Sequence, residues 1–484
     1  MPIIDIEKKH LDLVKQILKK VLGENSDIIV FVFGSRIKGN AEKFSDLDLA
    51  IFKEGKKVPK LVAELLYEFE ESNLPFKVDV IDLNDVSENF RKTIEKDLVK
   101  IEYQKKIPEG WREVRLGGLI KLSPTAQKFS DDTLVSFLGM ADISEEGKII
   151  NRNSIKYYGE VNKGFTNFKD DDVLVAKITP CFENGKGAIA TNLKNGMGFG
   201  STEFHVLRPL ERILPYYLFL ITKTYKFRYL GTSEMTGTAG QKRVPSDFIK
   251  NYKILLPPLS EQIAIAKILS EWDHAIDLVS HKIELKERLK KGLMQRLLTG
   301  KVRLKGFDGE WRKVRLGECL KIKHGKSQIE IEDIHGKYPI LATGGEIGRT
   351  NDYLYDKESV LIGRKGTINN PMYIETPFWT IDTLFYSQIK SNSNAKFLYY
   401  TFQAINWYTY NEGSTIPSLS ASTIMNIKIL LPSLSEQTAI AEILTTADDE
   451  ISLLKKQLDA LKLQKKGLMQ KLLTGEWSTK DIRM

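Results

Sequence analysis

Asp46 and Asp48 stand two apart in Ser45-Asp46-Leu47-Asp48-Leu49-Ala50-Ile51. In an extended strand, residues two apart face the same side. The two carboxylates then project together while Leu47 and Leu49 point into a core. Adjacent carboxylates repel, a cost that a divalent cation between them relieves. A nearby run, Phe76-Lys77-Val78-Asp79-Val80-Ile81, offers Asp79 as a third ligand. The bland alternative is a pair of strands with solvated aspartates. A different chemistry is written further on. Val173–Lys177 and Val360–Gly366 each read as a strand that delivers cations into a loop, Lys177 in one case and Arg364 and Lys365 in the other. Gly237-Thr238-Ala239-Gly240-Gln241-Lys242-Arg243-Val244-Pro245 and Gly413-Ser414-Thr415-Ile416-Pro417-Ser418-Leu419 occupy matching later places. Glycine-rich loops bearing Lys or Arg approach phosphate closely, and Gln or Arg can read base edges. Lys177, Gln241, Lys242, Arg243, Arg364 and Lys365 are therefore candidate nucleic-acid contacts, although Gly363-Arg364-Lys365-Gly366 also reads as a solvated hairpin. The aromatics Tyr225, Phe227, Tyr229, Trp407, Tyr408 and Tyr410 suit packing better than base stacking.

The elements that must position these residues are laid out by a repeat. KILLPPLSEQIAIAKILSEW, from Lys253, and KILLPSLSEQTAIAEILTTA, from Lys428, open two long segments that end in KKGLMQRLLTG and KKGLMQKLLTG. Pro257 matches Pro432, Gln262 matches Gln437 and Gly300 matches Gly475, a constant offset of 175. Each copy reads as a short strand, a proline break and one long helix. Ser260 stands where an N-cap belongs, with Glu261 in the first turn. Gly300 and Gly475 follow cationic last turns as C′ glycines. Trp272, Ile276, Val279 and Ile283, answered by Ala447, Ile451, Leu454, Leu458 and Leu461, form a coiled-coil seam. About 40 residues at 1.5 Å each make a rod of roughly 60 Å. Such a rod needs a partner. The other copy is the obvious one; packing on its own domain or on another chain are the alternatives. Trp111-Arg112-Glu113-Val114-Arg115-Leu116-Gly117 returns as Trp311-Arg312-Lys313-Val314-Arg315-Leu316-Gly317 at an offset of 200, so the first interior is 25 residues longer. The order is domain, rod, domain, rod, with similar rods and dissimilar interiors. Ahead of it, a helix over Ile6–Val21, a strand over Ile28–Phe33 and a tight turn at Gly34-Ser35 precede the Asp46 strand.

Composition narrows the class. The 484 residues suffice for three or four domains, and the net charge is +9. Residues 1–105 carry 18 Lys and Arg against 20 Asp and Glu, so the remainder carries +11. An acidic front on a basic body suggests that the body meets a polyanion, the alternative being a merely soluble basic surface. Two cysteines exclude a disulfide framework and a cysteine-rich zinc site, and fit a cytoplasmic protein. No 18-residue apolar run suggests a membrane span, and MPIIDIEKKH lacks a signal-peptide pattern. Asn370-Pro371-Met372-Tyr373 misses the second proline of an adenine-methyltransferase motif. Gly325-Lys326-Ser327 has Leu320 where a P-loop needs glycine. The body is expected neither to methylate, hydrolyse ATP nor cut DNA.

Two resemblances follow from these motifs. Gly34-Ser35, ten residues and then Asp46-Leu47-Asp48, with Ile94–Tyr103 closing the segment, resembles the small polymerase-beta-like nucleotidyltransferases. That resemblance implies that Gly34 and Ser35 hold nucleotide phosphate. It also implies that Asp46, Asp48 and Asp79 are catalytic and hold Mg²⁺, with ATP as a possible nucleotide. From Trp111 to Gly475 the paired W-x-x-V-x-L-G starts, LSEQ segments and GLMQ-x-LLTG endings resemble the specificity subunits of type I restriction-modification systems. This implies an α/β multidomain chain: a nucleotidyltransferase-like domain (1–105), target recognition domains at 106–258 and 302–433, and long helices at 259–301 and 434–484 that pair as an antiparallel coiled coil. It further implies a bipartite double-stranded DNA target, two methyltransferase subunits that carry S-adenosylmethionine, and an endonuclease subunit. A second reading makes the chain first an AMPylating, antitoxin-like nucleotidyltransferase whose body only targets it. The fused front departs from the usual pattern of specificity subunits, which begins near the Trp111 motif.

Overall fold

The computed structural model describes residues 4–23, 27–38, 45–101, 107–125, 127–238 and 240–482. They form two compact units, Met1–Trp272 with Gln464–Met484, and Asp273–Leu463. This division differs from the sequence domains because each unit takes the start of one long helix and the end of the other. Among the described residues no helix is long and apolar enough to cross a membrane.

In the first unit, the front segment is a four-stranded sheet ordered Val78–Asp82, Leu47–Lys53, Ile28–Phe33, Val99–Ile101. Its central pair is antiparallel, and Leu47–Lys53 runs parallel to Val78–Asp82. The helix Lys8–Leu22 buries Val14, Ile17, Leu18 and Val21, the three-four spacing of one helical face. With Leu65 and Phe69 of Pro59–Glu70 it covers Val30, Val32, Leu47 and Leu49. The Asp46 strand starts one residue later than the carboxylate pair requires, at Leu47, so Asp46 precedes the strand rather than alternating within it. Tyr103 and the linker residues Lys105 and Lys106 lie outside the described residues.

The two tandem domains that carry the glycine loops, one per unit, differ in their interiors but share the strand order of one four-stranded sheet. The first has a sheet ordered Gly187–Ile189, Val173–Ala176, Phe204–Pro209, Ile120–Leu122; the second has Met372–Ile374, Ser359–Gly363, Leu384–Ile389, Leu320–His324. Val173–Ala176 and Ser359–Gly363 are buried throughout, which explains their unbroken apolar sequence. A second sheet in each contains one parallel pair, Leu134–Leu138 with Met197–Gly200 and Tyr338–Ala342 with Trp379–Thr380. Each domain closes with a two-stranded ribbon that joins its W-x-x-V-x-L-G strand to its KILL strand, Arg112–Arg115 with Lys253–Leu256 and Arg312–Arg315 with Lys428–Leu431.

The long helices run Leu259–Leu297 and Leu434–Leu473. Ser260 is therefore inside the first turn and not its cap. Two imino acids, Pro257 and Pro258, fix the backbone and offer no donors, so the helix starts directly behind them. In the second copy Ser433, at the place of Pro258, accepts the Glu436 backbone N–H at 3.3 Å. The LSEQ motif has another task. Gln262 is fully buried. Its Oε1 accepts the Leu214 N–H at 3.0 Å, and its Nε2 donates to the Arg212 and Pro257 carbonyls, both at 3.0 Å. Gln437 repeats this with the Asn394 N–H at 2.8 Å and the Asn392 and Pro432 carbonyls at 3.2 and 3.0 Å. The glutamate beside it takes the motif tryptophan: Trp111 Nε1 donates to Glu261 at 3.1 Å, and Trp311 Nε1 to Glu436 at 3.0 Å. Gly475, at φ +68, brings the end of the other helix onto the same place, where an added Cβ would stand 2.5 Å from Pro108 Cγ. In the first unit Ile265, Ile268, Leu269 and Trp272 share one apolar cluster with Leu468, Met469, Leu472 and Leu473. In the second, Leu297 packs with Ile440, Ala441 and Leu444. There too, Lys286 pairs with Glu450 at 2.7 Å and Lys290 with Asp448 at 2.6 Å, the sense of an antiparallel pair. Ile283, Ile451 and Leu454 of the expected seam are buried.

Candidate functional site

In the first tandem domain the candidate cations are brought together by backbone pairing. Lys177 ends the strand Val173–Ala176, and its carbonyl accepts the Val244 N–H at 2.9 Å; Thr179 N–H donates to the Lys242 carbonyl at 2.9 Å. Ile178 and Thr236 both bridge to Arg243. The glycine loop is thus folded back on the strand end. Gln241, Lys242 and Arg243 are exposed, and Lys177 is half-buried. Ala239 lies outside the described residues. Glu203, which no motif singled out, sits among these groups. Arg243 grips it through Nε at 2.9 Å and Nη2 at 2.9 Å. That contact draws the Glu203 carboxyl below its usual range despite burial. Burial pushes the Lys177 ammonium down against the pull of Glu203. Below them His205 donates from Nε2 to the Val244 carbonyl at 2.9 Å, and burial keeps its imidazole below the ordinary value.

The second domain makes the same closure with other residues. Leu419 N–H donates to the Arg364 carbonyl and Gly366 N–H to the Pro417 carbonyl, each at 2.9 Å. Lys365 bridges to Ser418. Arg364 Nη1 donates to the Asp382 carbonyl at 3.3 Å, and Lys365 is exposed. Strand end and glycine loop therefore meet in both domains. The aromatics divide: Phe227 and Trp407 are core, Tyr408 and Tyr410 are exposed. Tyr225 and Tyr229 do a third thing. Tyr225 stacks on Tyr67 of the front segment, centroids 3.8 Å apart, with Tyr229 behind. Lys226 meets Glu64 at 2.5 Å and Lys60 meets Glu234, so the front segment is clamped to this domain. Burial opposes the Lys226 charge most strongly, but Glu64 together with Tyr252 and Glu68 outweighs it and holds the ammonium above its usual range. Tyr67 carries no recognisable motif, which is why the contact was not legible.

In the front segment, Asp48 lies in register with Phe33 on one side and Asp79 on the other. Gly34, at φ +83, permits this approach, since a Cβ there would stand 2.1 Å from Asp48 Oδ2. Burial, then Asp79 and Asp46, push the Asp48 carboxyl up. Lys77 Nζ occupies Asp79 at 2.6 Å. Among the described residues no group of three side chains is arranged to hold a metal ion. Asp46, Asp48 and Asp79 are thus gathered at one sheet end without closing around a cation, and an ammonium takes the place beside Asp79. Oxygen donors that repel one another and attract a cation suit a hard divalent ion. Arg36, overlooked in the sequence although it follows Ser35, is buried over the Phe76 ring at 4.0 Å. It donates to the Ser45 carbonyl from Nε at 3.0 Å and to the Asp5 carbonyl from Nη1 at 2.8 Å. It fixes the entry to the Asp46 segment. Ser35 opens the short helix Ser35–Lys38.

Stretches of the chain match known protein families. Residues 108–287 and 308–463 match the type I restriction modification DNA specificity domain, and residues 5–106 match the polymerase beta nucleotidyltransferase family. The EcoEI type I specificity subunit of Escherichia coli is 41% identical over 181 residues, 37% of this chain and 30% of that protein. The chain thus spans less than a third of the length of that relative. A putative type I specificity subunit, MjaX, of Methanocaldococcus jannaschii is 30% identical over 63% of this chain and 78% of its own length. A probable protein adenylyltransferase, MntA, of Haemophilus influenzae is 43% identical over 107 residues, 22% of this chain and 90% of that protein. The crystal structure of the type I restriction-modification S subunit from M. genitalium superposes with a TM-score of 0.52 at 18% identity, over 77% of this chain and 98% of that one.

Proposed function

The chain belongs to the type I restriction modification DNA specificity family, with a polymerase beta nucleotidyltransferase domain at its front, and from that membership we propose that it directs a type I restriction-modification complex to its DNA target. Each recognition domain binds one half of a bipartite duplex site. The long helices pair as an antiparallel coiled coil, set the unread interval and dock two methyltransferase subunits, which an endonuclease subunit joins. S-adenosylmethionine is bound by the methyltransferase, and the complex works in the cytoplasm. The observation that carries the reading is the repeated closure of a strand end on a glycine loop. It sets Lys177 beside Gln241–Arg243 in one domain and the neighbours Arg364 and Lys365 against Pro417–Leu419 in the other. The lysines suit phosphate and supply affinity; Gln241 and the arginines suit base edges and supply sequence. The test is methylome sequencing of cells that express the chain with a cognate methyltransferase subunit. A split motif, methylated in both halves, is expected; no new methylation from a verified complex would sink the proposal.

The front domain is read as an accessory nucleotidyltransferase using Mg²⁺ and ATP. Asp46, Asp48 and Asp79 would hold the metal, which neutralises the charge developing on the transferred phosphoryl group. Gly34 admits Asp48 beside the turn, Ser35 offers its hydroxyl and amide to phosphate, and Arg36 fixes the Asp46 segment. Label transferred from ATP to a partner protein, and lost in Asp48→Asn, is the expected outcome.

A further inference from the structure

Lys60, Glu64 and Tyr67 recur at spacings of four and three along Pro59–Glu70, so they form one face of that helix. All three meet one element of the first recognition domain, the helix Tyr225–Ser233 and the residue that follows it. Tyr67 stacks on Tyr225 with an interplanar angle of 13°, Glu64 holds Lys226 at 2.5 Å, and Lys60 takes Glu234. Glu234 stands at the base of the glycine loop. Two residues on, Thr236 and Arg243 exchange both backbone hydrogen bonds, at 3.1 and 2.9 Å. Between them Gly237, Thr238, Gly240, Gln241 and Lys242 are exposed. Met235, between clamp and loop, accepts from the Thr179 hydroxyl at 3.5 Å, and Thr179 is also the residue whose N–H donates to the Lys242 carbonyl. The second domain fastens its loop differently. Asn411 Oδ1 accepts the Gly413 and Ser418 N–H groups at 3.0 and 2.8 Å, and its Nδ2 donates to the Gly413 carbonyl at 2.9 Å. Glu412 N–H donates to the Ser418 carbonyl at 2.9 Å, the counterpart of the Thr236–Arg243 pair. One side chain thus ties that loop from inside. Met235 stands at the place of Asn411 in the first loop, and a thioether has no donor and only a weak acceptor with which to do the same.

We propose that the front domain is a positioning part of the first reading head. Through Tyr67, Glu64 and Lys60 it orders the end of the helix Tyr225–Ser233 and sets the glycine loop in the shape that reads the first half-site. This rests on the glycine loops being DNA readers. A loop ordered before binding loses less conformational freedom on contact, and the gain falls on the sequence that fits the fixed shape. The second half-site is read by a loop that holds itself. The role is separate from transferase chemistry, because the clamp lies on the helix Pro59–Glu70 and not at the sheet end that gathers Asp46, Asp48 and Asp79.

The test is fluorescence anisotropy of the full chain, assembled with its methyltransferase subunit, on the cognate duplex and on duplexes with one half-site scrambled. Gln241→Ala identifies the half read by the first domain, as the half whose discrimination it lowers. Tyr67→Ala is expected to lower discrimination at that half by about tenfold, the scale of one lost base contact, and to leave the other half as it was. Lys60→Glu alters only an exposed ion pair and should cost about threefold at the same half. Adding Glu234→Lys to it, which reverses the pair, should restore the loss. No change at that half in either variant, an equal loss at both halves, or a reversed pair that restores nothing overturns the inference and leaves the clamp as a tether for the front domain. If Gln241→Ala lowers discrimination at neither half, the loop does not read DNA, and the DNA reading falls together with the inference built on it.

Discussion

Lys242 and Arg243 are neighbours of the same charge, yet their surroundings assign them different work. Lys242 is an exposed cation at a loop tip, whereas Arg243 is held on both oxygens of Glu203. A guanidinium fixed in this way has lost rotamer freedom before DNA arrives and is suited to reading an edge; a free lysine is suited to phosphate. Lys242→Ala should therefore cost about 1 kcal/mol on all sequences alike and lower the salt slope by about one. Glu203→Gln should do the opposite. Removing a negative charge strengthens non-specific binding, while releasing Arg243 narrows the gap between cognate and random DNA by about 1 kcal/mol. Fluorescence anisotropy at several salt concentrations measures both; an equal gain on cognate and random DNA would mean that Glu203 only screens. The cations were legible because glycine loops announce themselves. Glu203 was not, because its partner is 40 residues away and no local pattern encodes that pairing. Asp46 and Asp48 were legible as a pair, but the engagement of Asp79 by Lys77 depends on where a flexible side chain settles.

At the scale of elements, the repeated motifs are one junction seen in pieces. The tryptophan strand, the LSEQ turn and the LLTG end meet in each unit, so their recurrence at offsets of 175 and 200 has a packing cause. The sequence reading gave Glu261 to helix initiation, since a Ser and a Glu before an apolar run have that signature, and gave Gln262 no task beyond its recurrence as Gln437. In the fold their side chains serve tertiary contacts 48 and 150 residues away. A buried amide that satisfies three backbone groups is costly to remove, because the orphaned groups cannot recover water. Gln262→Ala and Gln437→Ala should each destabilise their own unit by about 2–4 kcal/mol. The comparison of Glu436 with Glu261 refines this. Glu436 is almost fully buried and also holds Arg303 at 2.8 Å, whereas the half-buried Glu261 takes the Trp111 N–H. Glu436→Gln should thus be the more damaging of the two by about 2 kcal/mol. Chemical denaturation would show it, and equal losses would mean that Arg303 adds nothing.

For the whole molecule, the sequence conveyed the alternation of domain and rod but not the compact units. Periodicity follows the chain, whereas each unit is assembled from the start of one helix and the end of the other. The front domain was legible as a module, yet its clamp through Tyr67, Glu64 and Lys60 was hidden, since surface tyrosines and charges carry no period. The proposed role for the rods makes a demand on length. If the helices set the interval between half-sites, lengthening both by the same number of heptads must change that interval and nothing else. Seven residues inserted after Leu278 and seven after Leu458 preserve the phase of the seam and add about 10 Å. At 3.4 Å per base pair, that is roughly three base pairs. Methylome sequencing of the lengthened chain should return both half-sites unchanged, with a spacer longer by about that amount. A folded, methylation-competent variant with the original spacer would show that some other part of the assembly measures the distance, and the helices would then serve only to bind partners.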